Sequence, residues 1–438
     1  MMTSNNQMFY DSLGSFFCGK RTEDPEETKK RLETIKKLNT QIYDDTDITI
    51  ILGATDPIDQ SENSRHGPFC YKIVSLCSKG VDEEINSFVL ELNTKLKKSG
   101  TNASYSERGN YWSIFYLLKE LISKLEQCEY NFFRGQTESW PTIPALFRRK
   151  VNKDNKFYYE LFEQLYKQVS QEYPDRIDYY SIDDELDDRA DQLAKLQHYE
   201  LPTSLLDITD SPFVALLFLS NAGSGVINKP KFEAFKMSIE EHSNSSLLTF
   251  VRKGQDNQRI RAQHGAFINY DKLRKYTHFT KEEVKINDEF RKIPRVSITI
   301  EFSKKETEKL LKDQEEAISK VHEEGYFFSR EDIEKFKKGE KSLEDIMKGI
   351  IPDSLTPTKK YSKTNIEAVR ESLKAKNFEE KYYKVIQEEL IRKLGEYGYF
   401  SHTLFPDFGD YLGYLSKNFI MITNEEKENG IYPNKLSE

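Results

Sequence analysis

The feature that most constrains the fold is a run of seven apolar residues, Phe213–Leu219, that directly follows Ser211 and Pro212. A serine hydroxyl can cap a helix, and proline is tolerated in the first turn because the N–H that it lacks would be unpaired there. The pair therefore predicts a helix over the apolar run rather than a strand. A helix that is apolar on every side is a buried helix.

Strand patterns lie on both sides of this helix. Ile48–Leu52 is a β-branched run that predicts a buried strand, and Ser246–Val251 also predicts a strand. Apolar and polar residues alternate in Arg295–Phe302, which predicts a strand with one wet face. Tyr130–Phe133 predicts a short aromatic strand that leads into Arg134. We therefore expect the α+β class, with a mixed or antiparallel sheet flanked by helices.

Further helices are predicted where apolar residues recur at helical spacing. These stretches are Ile85–Leu96, Leu117–Leu125 and Tyr158–Val169. The charged residues 25–38 are also compatible with a helix. The acidic segment Asp183–Asp191 predicts a solvated helix start.

Changes in composition predict the domain organisation. Residues 1–104 indicate a small accessory α/β unit, and a stretch rich in Gly, Asn and Ser follows it. Residues 105–438 form the main domain. A Lys/Glu-rich helical insertion interrupts it at about residues 303–385, with a capping-box pattern at Ser329–Asp332.

Charge and hydropathy exclude several classes of protein. The chain of 438 residues has 65 basic and 73 acidic residues and a net charge of −8, which argues against a protein that coats nucleic acid. The same balance gives no support to membrane-surface binding. No run approaches the length of a membrane-spanning helix, and the N-terminus lacks a signal pattern. The four cysteines form no CxxC pair, so we expect reduced thiols and a cytoplasmic location.

Familiar catalytic patterns do not occur in the sequence. His198 and His264 each follow a glutamine, but no further ligands stand at a spacing suited to zinc, so no metal site is predicted. The sequence also has no GxxxxGK[ST] phosphate loop, no GxGxxG after a strand and no GxSxG nucleophile elbow.

The string Phe133-Arg134-Gly135-Gln136 places a cation at the end of the aromatic strand. The guanidinium of Arg134 offers a rigid donor fork suited to phosphate. The glycine allows the backbone to approach a ligand closely. In the alternative interpretation Arg134 is structural and pairs with a core carboxylate such as Asp207. Gln136 would hold Arg134 in place or cap a turn.

A dense group of polar residues directly precedes the buried helix, namely Thr203, Ser204, Asp207, Thr209 and Asp210. A helix N-terminus carries unpaired N–H groups and the positive end of the helix dipole, so it can receive an anion. The same residues could merely cap the helix and a turn. The two interpretations are compatible with each other.

A third polar string, Arg259–Phe267, alternates charged with small and apolar residues. It predicts a strand or turn that brings Arg261 and Gln263 to a site. The alternative is an edge strand with exposed arginines.

Taken together, these strings resemble the FRG domain, a bacterial family named for its Phe/Tyr-Arg-Gly motif. The resemblance runs from about Tyr111 to Tyr414, apart from the insertion. It rests on four ordered strings, which are Phe133–Gln136, Gln197–Leu219, Arg259–Phe267 and Leu404–Gly409. The chain departs from the family pattern at Glu200, Ser204 and Ile208, where glycine, arginine and tryptophan are usual. Serine at position 204 removes a second cation that could bind phosphate.

The resemblance implies a cytosolic bacterial protein, often encoded near anti-phage or toxin–antitoxin genes, and therefore a role in antiviral defence or as a toxin. The strings are also similar to the ADP-ribosyltransferase layout. In that layout an arginine or histidine on an early strand touches the ribose or phosphate of NAD, a strand with Ser or Thr supports the nicotinamide cleft, and a later glutamate orients the ribose. Arg134 and then Thr203 and Ser204 occur in that order. The third position would be Gln263 or, with weaker support, Glu301.

The resemblance thus implies a nucleotide-binding enzyme that uses NAD, without a metal, to modify nucleic acid or protein. Catalytic roles fall to Arg134 on phosphate, Asp207 orienting that arginine, and Gln263 on a ribose hydroxyl. The other residues assigned to the cofactor are Gln136, His198, Thr203, Ser204 and Arg261.

A neutral glutamine cannot stabilise the positive charge that develops on the ribose, so Asp207 or Asp210 would have to supply the negative charge. The alternative function is a module that senses a nucleotide, nucleic acid or phage protein without chemistry. The sequence leaves the target and the oligomeric state open.

Overall fold

The computed structural model describes most of the sheet and its flanking helices. The described residues are 9–11, 13–14, 39–55, 70–99, 113–149, 157–183, 186–221, 225–238, 247–251, 262–279, 284–323, 326–338, 346, 351–352, 369 and 375–401. The predicted helix at residues 25–38, Arg261 and the string Leu404–Gly409 lie outside them.

Eight strands form one sheet, which confirms the α+β class. In chain order the strands of the structure are β1 (Tyr43–Thr55), β2 (Cys70–Gly80), β3 (Phe132–Gln136), β4 (Leu205–Thr209), β5 (Lys231–Phe235), β6 (Leu248–Thr249), β7 (Gly265–Asn269), β8 (Thr277–Phe279), β9 (Val284–Ile286), β10 (Ile293–Phe302), β11 (Tyr326–Phe327) and β12 (Ile351–Pro352). The order across the large sheet is β2-β1-β10-β5-β3-β4-β7-β6, whereas β8 with β9 and β11 with β12 form two small sheets. Neighbours in the large sheet are antiparallel except β1 and β10.

Strands β1 and β2 come from the residues that the sequence assigned to an accessory unit. β1 runs parallel to β10 from the pair Tyr43 and Ile293 to the pair Leu52 and Phe302. Strands from before and after residue 104 therefore belong to the same continuous sheet. The domain boundary itself stays a prediction.

Helices cover both faces of the sheet. They are α1 (Glu83–Ser99), α2 (Ile114–Gln127), α3 (Ala145–Arg148), α4 (Phe162–Glu172), α5 (Leu186–His198), α6 (Pro212–Ser220), α7 (Lys304–Glu323), α8 (Arg330–Lys338) and α9 (Ala375–Glu396). α1 and α2 match the predicted helices. The helix predicted from Tyr158 begins later, because Tyr158–Glu160 forms a 3₁₀ turn.

Successive side chains of the strands face two separate cores, as the pleat requires. Phe133 lies in one core together with buried side chains of α1, α2, α6 and α9. Its neighbour Phe132 lies in the other core, with buried side chains of α4 and α5 and with Tyr10 from the N-terminal segment. The sheet is thus the middle layer of three.

The buried helix predicted at Phe213–Leu219 is confirmed. Ser211 Oγ accepts a hydrogen bond from Val214 N at 3.4 Å, and Pro212 is the first residue of α6. The helix packs against β3 at Gly135, where a Cβ atom would lie 1.8 Å from the carbonyl oxygen of Ala215. The glycine of this string is therefore required by helix packing, a reason that the sequence interpretation did not contain.

The prediction of a wet face on β10 was wrong. β10 lies between β1 and β5, and the polar side chains of Arg295 and Ser297 are 6% and 8% exposed. Arg295 forms a bidentate ion pair with Asp45, with Nε–Oδ1 and Nη2–Oδ2 distances of 2.8 and 2.9 Å. Arg295 is thus buried as an ion pair and Ser297 is buried beside it, while Thr299 and Glu301 further along the same face are half-buried.

The acidic start of α5 is solvated at Asp183 and Asp187, as predicted, whereas Arg189 and Asp191 in the same segment are buried. Arg189 is 0% exposed and contacts Glu163 at 2.6 Å and Asp271 at 2.9 Å. It also donates to the hydroxyl of Tyr10 at 2.7 Å. This network connects α4, α5 and the N-terminal segment beneath the sheet.

Candidate functional site

A cavity of about 430 Å³ lies where β3 and β4 diverge. The register between the two strands consists of the single pair Phe133 and Thr209. The volume falls within the range of roughly 300–1,000 Å³ that is typical of small-molecule sites. Residues of β3, α3, α5, β4 and β7 line the cavity; the polar ones are Arg134, Arg148, Arg149, Gln197, His198, Glu200, Asp207, Thr209 and Gln263.

Arg134 bridges the gap between the strands. Its Nη1 donates to the main-chain carbonyl of Asp207 at 2.6 Å. Its Nε is buried and has no hydrogen-bond partner among the described residues. Asp207 thus holds Arg134 through its backbone and not through its carboxylate.

Two further arginines lie beside Arg134. Arg148 is the last residue of α3, and Arg149 follows it. No carboxylate of the described residues lies within 4.0 Å of any of the three guanidinium groups. The Nε of Arg148, like that of Arg134, is buried without a partner.

The environment of Arg148 is unfavourable for a positive charge. Burial lowers its pKa to about 10, and the charges of Arg134 and Arg149 act in the same direction, whereas Asp207 opposes them. Arg134 and Arg148 are half-buried and Arg149 is exposed. Like charges that are close together and partly desolvated are costly unless an anion neutralises them. The arrangement is therefore suited to a ligand with negative charge.

A chain of hydrogen bonds holds the carboxylate of Asp207. Gln197 Nε2 donates to Asp207 Oδ1 at 2.7 Å, and the hydroxyl of Thr203 donates to Gln197 Oε1. That hydroxyl accepts from Leu205 N at 3.2 Å. Because Thr203 binds the amide oxygen, the amide NH₂ group must face the carboxylate. Thr203 and Gln197 thus position Asp207.

Two other predicted residues, Gln263 and His198, also line the cavity. The main chain of Gln263 is fixed because its carbonyl accepts from Thr209 Oγ1 at 2.8 Å. The ring of His198 lies edge-on to that of Tyr199, with 4.9 Å between the ring centroids. The structure thus brings Arg134, Asp207, Gln263 and His198 to one cavity.

Three predicted residues do not line this cavity. Gln136 is buried in β3, and its Oε1 has no partner among the described residues. Thr203 and Ser204 are 0% exposed, and the Ser204 hydroxyl likewise has no partner in the described part of the chain. Their assignment to a ligand stays a prediction, and Thr203 has the positioning contact given above.

The N-terminus of α6 is not part of the cavity wall. α6 contributes Phe218 from its second half, while Ser211 caps its first turn. Asp210 lies outside the lining and contacts His264, with an Oδ1–Nδ1 distance of 3.1 Å. Of the polar group before α6, Asp207 and Thr209 therefore line the cavity, whereas Thr203, Ser204 and Asp210 do not.

The sequence interpretation missed Arg148, Arg149 and the role of Gln197. The one signal for the arginines was a consecutive pair directly after the apolar residues of α3. A pair of this kind is most often a solvated end of a helix. Only its position opposite Arg134 distinguishes it.

Glu200 lines the cavity from the turn after α5, and its φ of 69° lies in the left-handed region. Leu201 N donates to Leu196 O at 3.1 Å and Glu200 N to Gln197 O at 3.0 Å, which is the Schellman ending of a helix. Glycine is favoured at position 200 for this reason, which accounts for the glycine that the similar family pattern usually has there.

Metal and membrane features were sought in the described part of the chain. No group of three or more His, Cys, Asp and Glu side chains in it could hold a metal ion. Its helices include none with both the length and the apolar character needed to cross a bilayer.

Residues 129–224, less than a quarter of the chain, match the family model of the FRG domain. The matched stretch contains β3, α3–α6 and β4, and therefore Arg134, Arg148, Arg149 and Asp207. Gln263 lies outside it. No curated protein and no solved structure matches the chain.

Proposed function

We propose that the cavity of the FRG domain binds a nucleotide through its phosphates, and that this nucleotide is NAD. The convergence of three guanidinium groups without a carboxylate partner is the observation that carries the proposal. Arginine presents its donors in a fork that matches phosphate oxygens. The buried Nε groups of Arg134 and Arg148 are donors that such a ligand would satisfy.

Asp207 gives the same cavity a carboxylate that could take part in cleavage of the bound nucleotide. NAD would supply a bond between ribose C1′ and the nicotinamide nitrogen, whose cleavage leaves the electron pair on nicotinamide and positive charge on the sugar. The carboxylate of Asp207, held by Gln197 and Thr203, stabilises that charge. Asp207 thus takes the role that the neutral Gln263 cannot fill, while Gln263 binds a ribose hydroxyl.

The proposed reaction is ADP-ribosyl transfer. An oxygen or nitrogen of a nucleic acid or protein attacks C1′ and loses its proton as nicotinamide departs. A cytoplasmic bacterial effector in anti-phage defence or toxicity is the cellular role that the FRG resemblance implies.

A second candidate function is binding without chemistry. Gln263 stands at the cavity where the ADP-ribosyltransferase layout has a glutamate, and one oxygen of Asp207 is already engaged by Gln197. Both observations favour a module that senses a nucleotide, nucleic acid or phage protein.

Incubation of the full-length protein with NAD distinguishes the two functions. For the transferase we expect nicotinamide release, measured by chromatography, that is lost in Asp207→Asn and Arg148→Ala. The matched control is Arg176→Ala, an exposed arginine after α4. Tight NAD binding by calorimetry without release favours the sensing module. If neither NAD nor ADP-ribose binds, the cavity proposal is wrong.

A further inference from the structure

We propose that Glu200 is a specificity-determining residue of this cavity, and that it makes the cavity prefer a nucleotide with a positively charged ring over one with a neutral ring. The inference rests on the proposed nucleotide-binding function and adds the charge character of the ligand. It predicts that NAD⁺ binds more tightly than NADH, which differs from it little in size but has a neutral nicotinamide ring.

The carboxylate of Glu200 is available to a ligand. The residue is exposed and lines the cavity, next to the end of α5 that contributes Gln197 and His198. Within the described residues, no hydrogen bond or ion pair involves its side chain. The backbone bonds of the Schellman turn hold its Cα in a fixed position.

The charges that line the cavity are of both signs. The three arginines lie on β3 and at the end of α3. The two carboxylates lie elsewhere in the lining, Asp207 on β4 and Glu200 in the turn after α5. Asp207 raises the pKa of Arg148. No ion pair joins the carboxylate of Glu200 to a guanidinium within the described residues. A ligand that carries phosphates and a cationic ring complements both signs, whereas a ligand with phosphates alone leaves this carboxylate uncompensated.

Glu129 provides a matched control for the backbone of Glu200. It ends α2 with the same pattern, Tyr130 N donating to Leu125 O and Glu129 N to Glu126 O, and its φ is 68°. Its carboxylate does not line the cavity and instead contacts Lys236 Nζ at 2.6 Å. A left-handed glutamate is therefore not in itself a sign of function. What distinguishes Glu200 is the place of its carboxylate.

The test measures the affinities of NAD⁺ and NADH by calorimetry for the full-length protein and for Glu200→Gln, Glu200→Gly, Glu129→Gln and Glu129→Gly. Carba-NAD, with a methylene in place of the ribose ring oxygen, replaces NAD⁺ if nicotinamide is released. We expect the unmodified protein to favour the cationic ligand by up to about fivefold, as an exposed charge pair allows. The preference falls to about one in both Glu200 variants, persists in both Glu129 variants, and weakens with added salt.

The outcomes separate this inference from the function on which it rests. If neither dinucleotide binds, nucleotide binding is wrong and the inference falls with it. If both bind equally to the unmodified protein, or if Glu200→Gln keeps the preference, Glu200 does not set specificity although nucleotide binding stands. Glu200→Gln preserves the size of the side chain, so the test does not depend on how the glycine variant folds.

Discussion

The guanidinium of Arg134 donates to the main-chain oxygen of Asp207 at 2.6 Å, so a side chain joins β3 and β4 where their own pairing ends. The same contact fixes the position of the Arg134 guanidinium in the wall of the cavity. A substitution of Arg134 therefore removes a structural bond and a ligand contact together. Arg148, whose side chain makes no hydrogen bond or ion pair within the described residues, gives the cleaner test of ligand binding.

Arg148→Met should stabilise the unliganded protein. Burial and two neighbouring guanidinium groups lower the pKa of Arg148 to about 10. Its positive charge therefore destabilises the folded state at neutral pH. The unfolded side chain has the higher pKa, so this penalty is fully present below pH 10 and declines only above it. We expect the free energy of unfolding to rise by about 1–2 kcal/mol, equally at pH 6 and pH 9, in urea titrations. A loss of stability would show that Arg148 has a stabilising partner.

Thr203→Val should impair the positioning of Asp207. The substitution removes the hydroxyl that orients the amide of Gln197 and leaves Leu205 N without its acceptor. We expect a loss of about 1–3 kcal/mol in unfolding free energy. Nicotinamide release should slow while the Kd for NAD changes little. Thr203→Ser keeps the hydroxyl and should therefore release nicotinamide at the unmodified rate. If it does not, the hydrogen-bond chain from Thr203 through Gln197 to Asp207 does not explain the slower release.

Glu200→Gly and Glu129→Gly should both raise stability. Each replaces a left-handed glutamate at a helix end by the residue that adopts this conformation without a steric penalty. We expect a gain of up to about 1 kcal/mol for each in thermal or urea unfolding. The gain should be slightly smaller for Glu129, which also loses its exposed contact with Lys236. A decrease for both variants would contradict the assigned backbone conformation.

Gly135→Ala should be severely destabilising. The added Cβ would lie 1.8 Å from the carbonyl oxygen of Ala215, and neither β3 nor α6 can move away without disrupting the core. We expect a loss of at least about 3 kcal/mol, measured by urea unfolding, or failure to fold. The control is Gly395→Ala in α9, where the nearest atom is 3.3 Å away on the Phe400 ring. A near-native Gly135→Ala would mean that α6 does not pack against β3 in this way.

The sequence by itself determined the local elements. Periodicity and capping residues predicted α1, α2 and α6, and the aromatic run before Arg134 predicted β3. These features depend on interactions between residues close together in the chain, so a single sequence contains them. The resemblance to the FRG domain was confirmed over residues 129–224 by the same kind of information, residue types at fixed spacing.

Tertiary structure decided how these elements share one sheet and which side chains meet. Asp45 neutralises Arg295 from 250 positions away, so this arginine is buried although the alternation of β10 indicates a wet face. Arg148 faces the cavity because α3 lies opposite the gap between β3 and β4. Contacts of this kind depend on long-range chain packing, which leaves no periodic signal. The fold alone therefore showed that this arginine pair, half-buried at Arg148 and exposed at Arg149, belongs to the wall of a cavity.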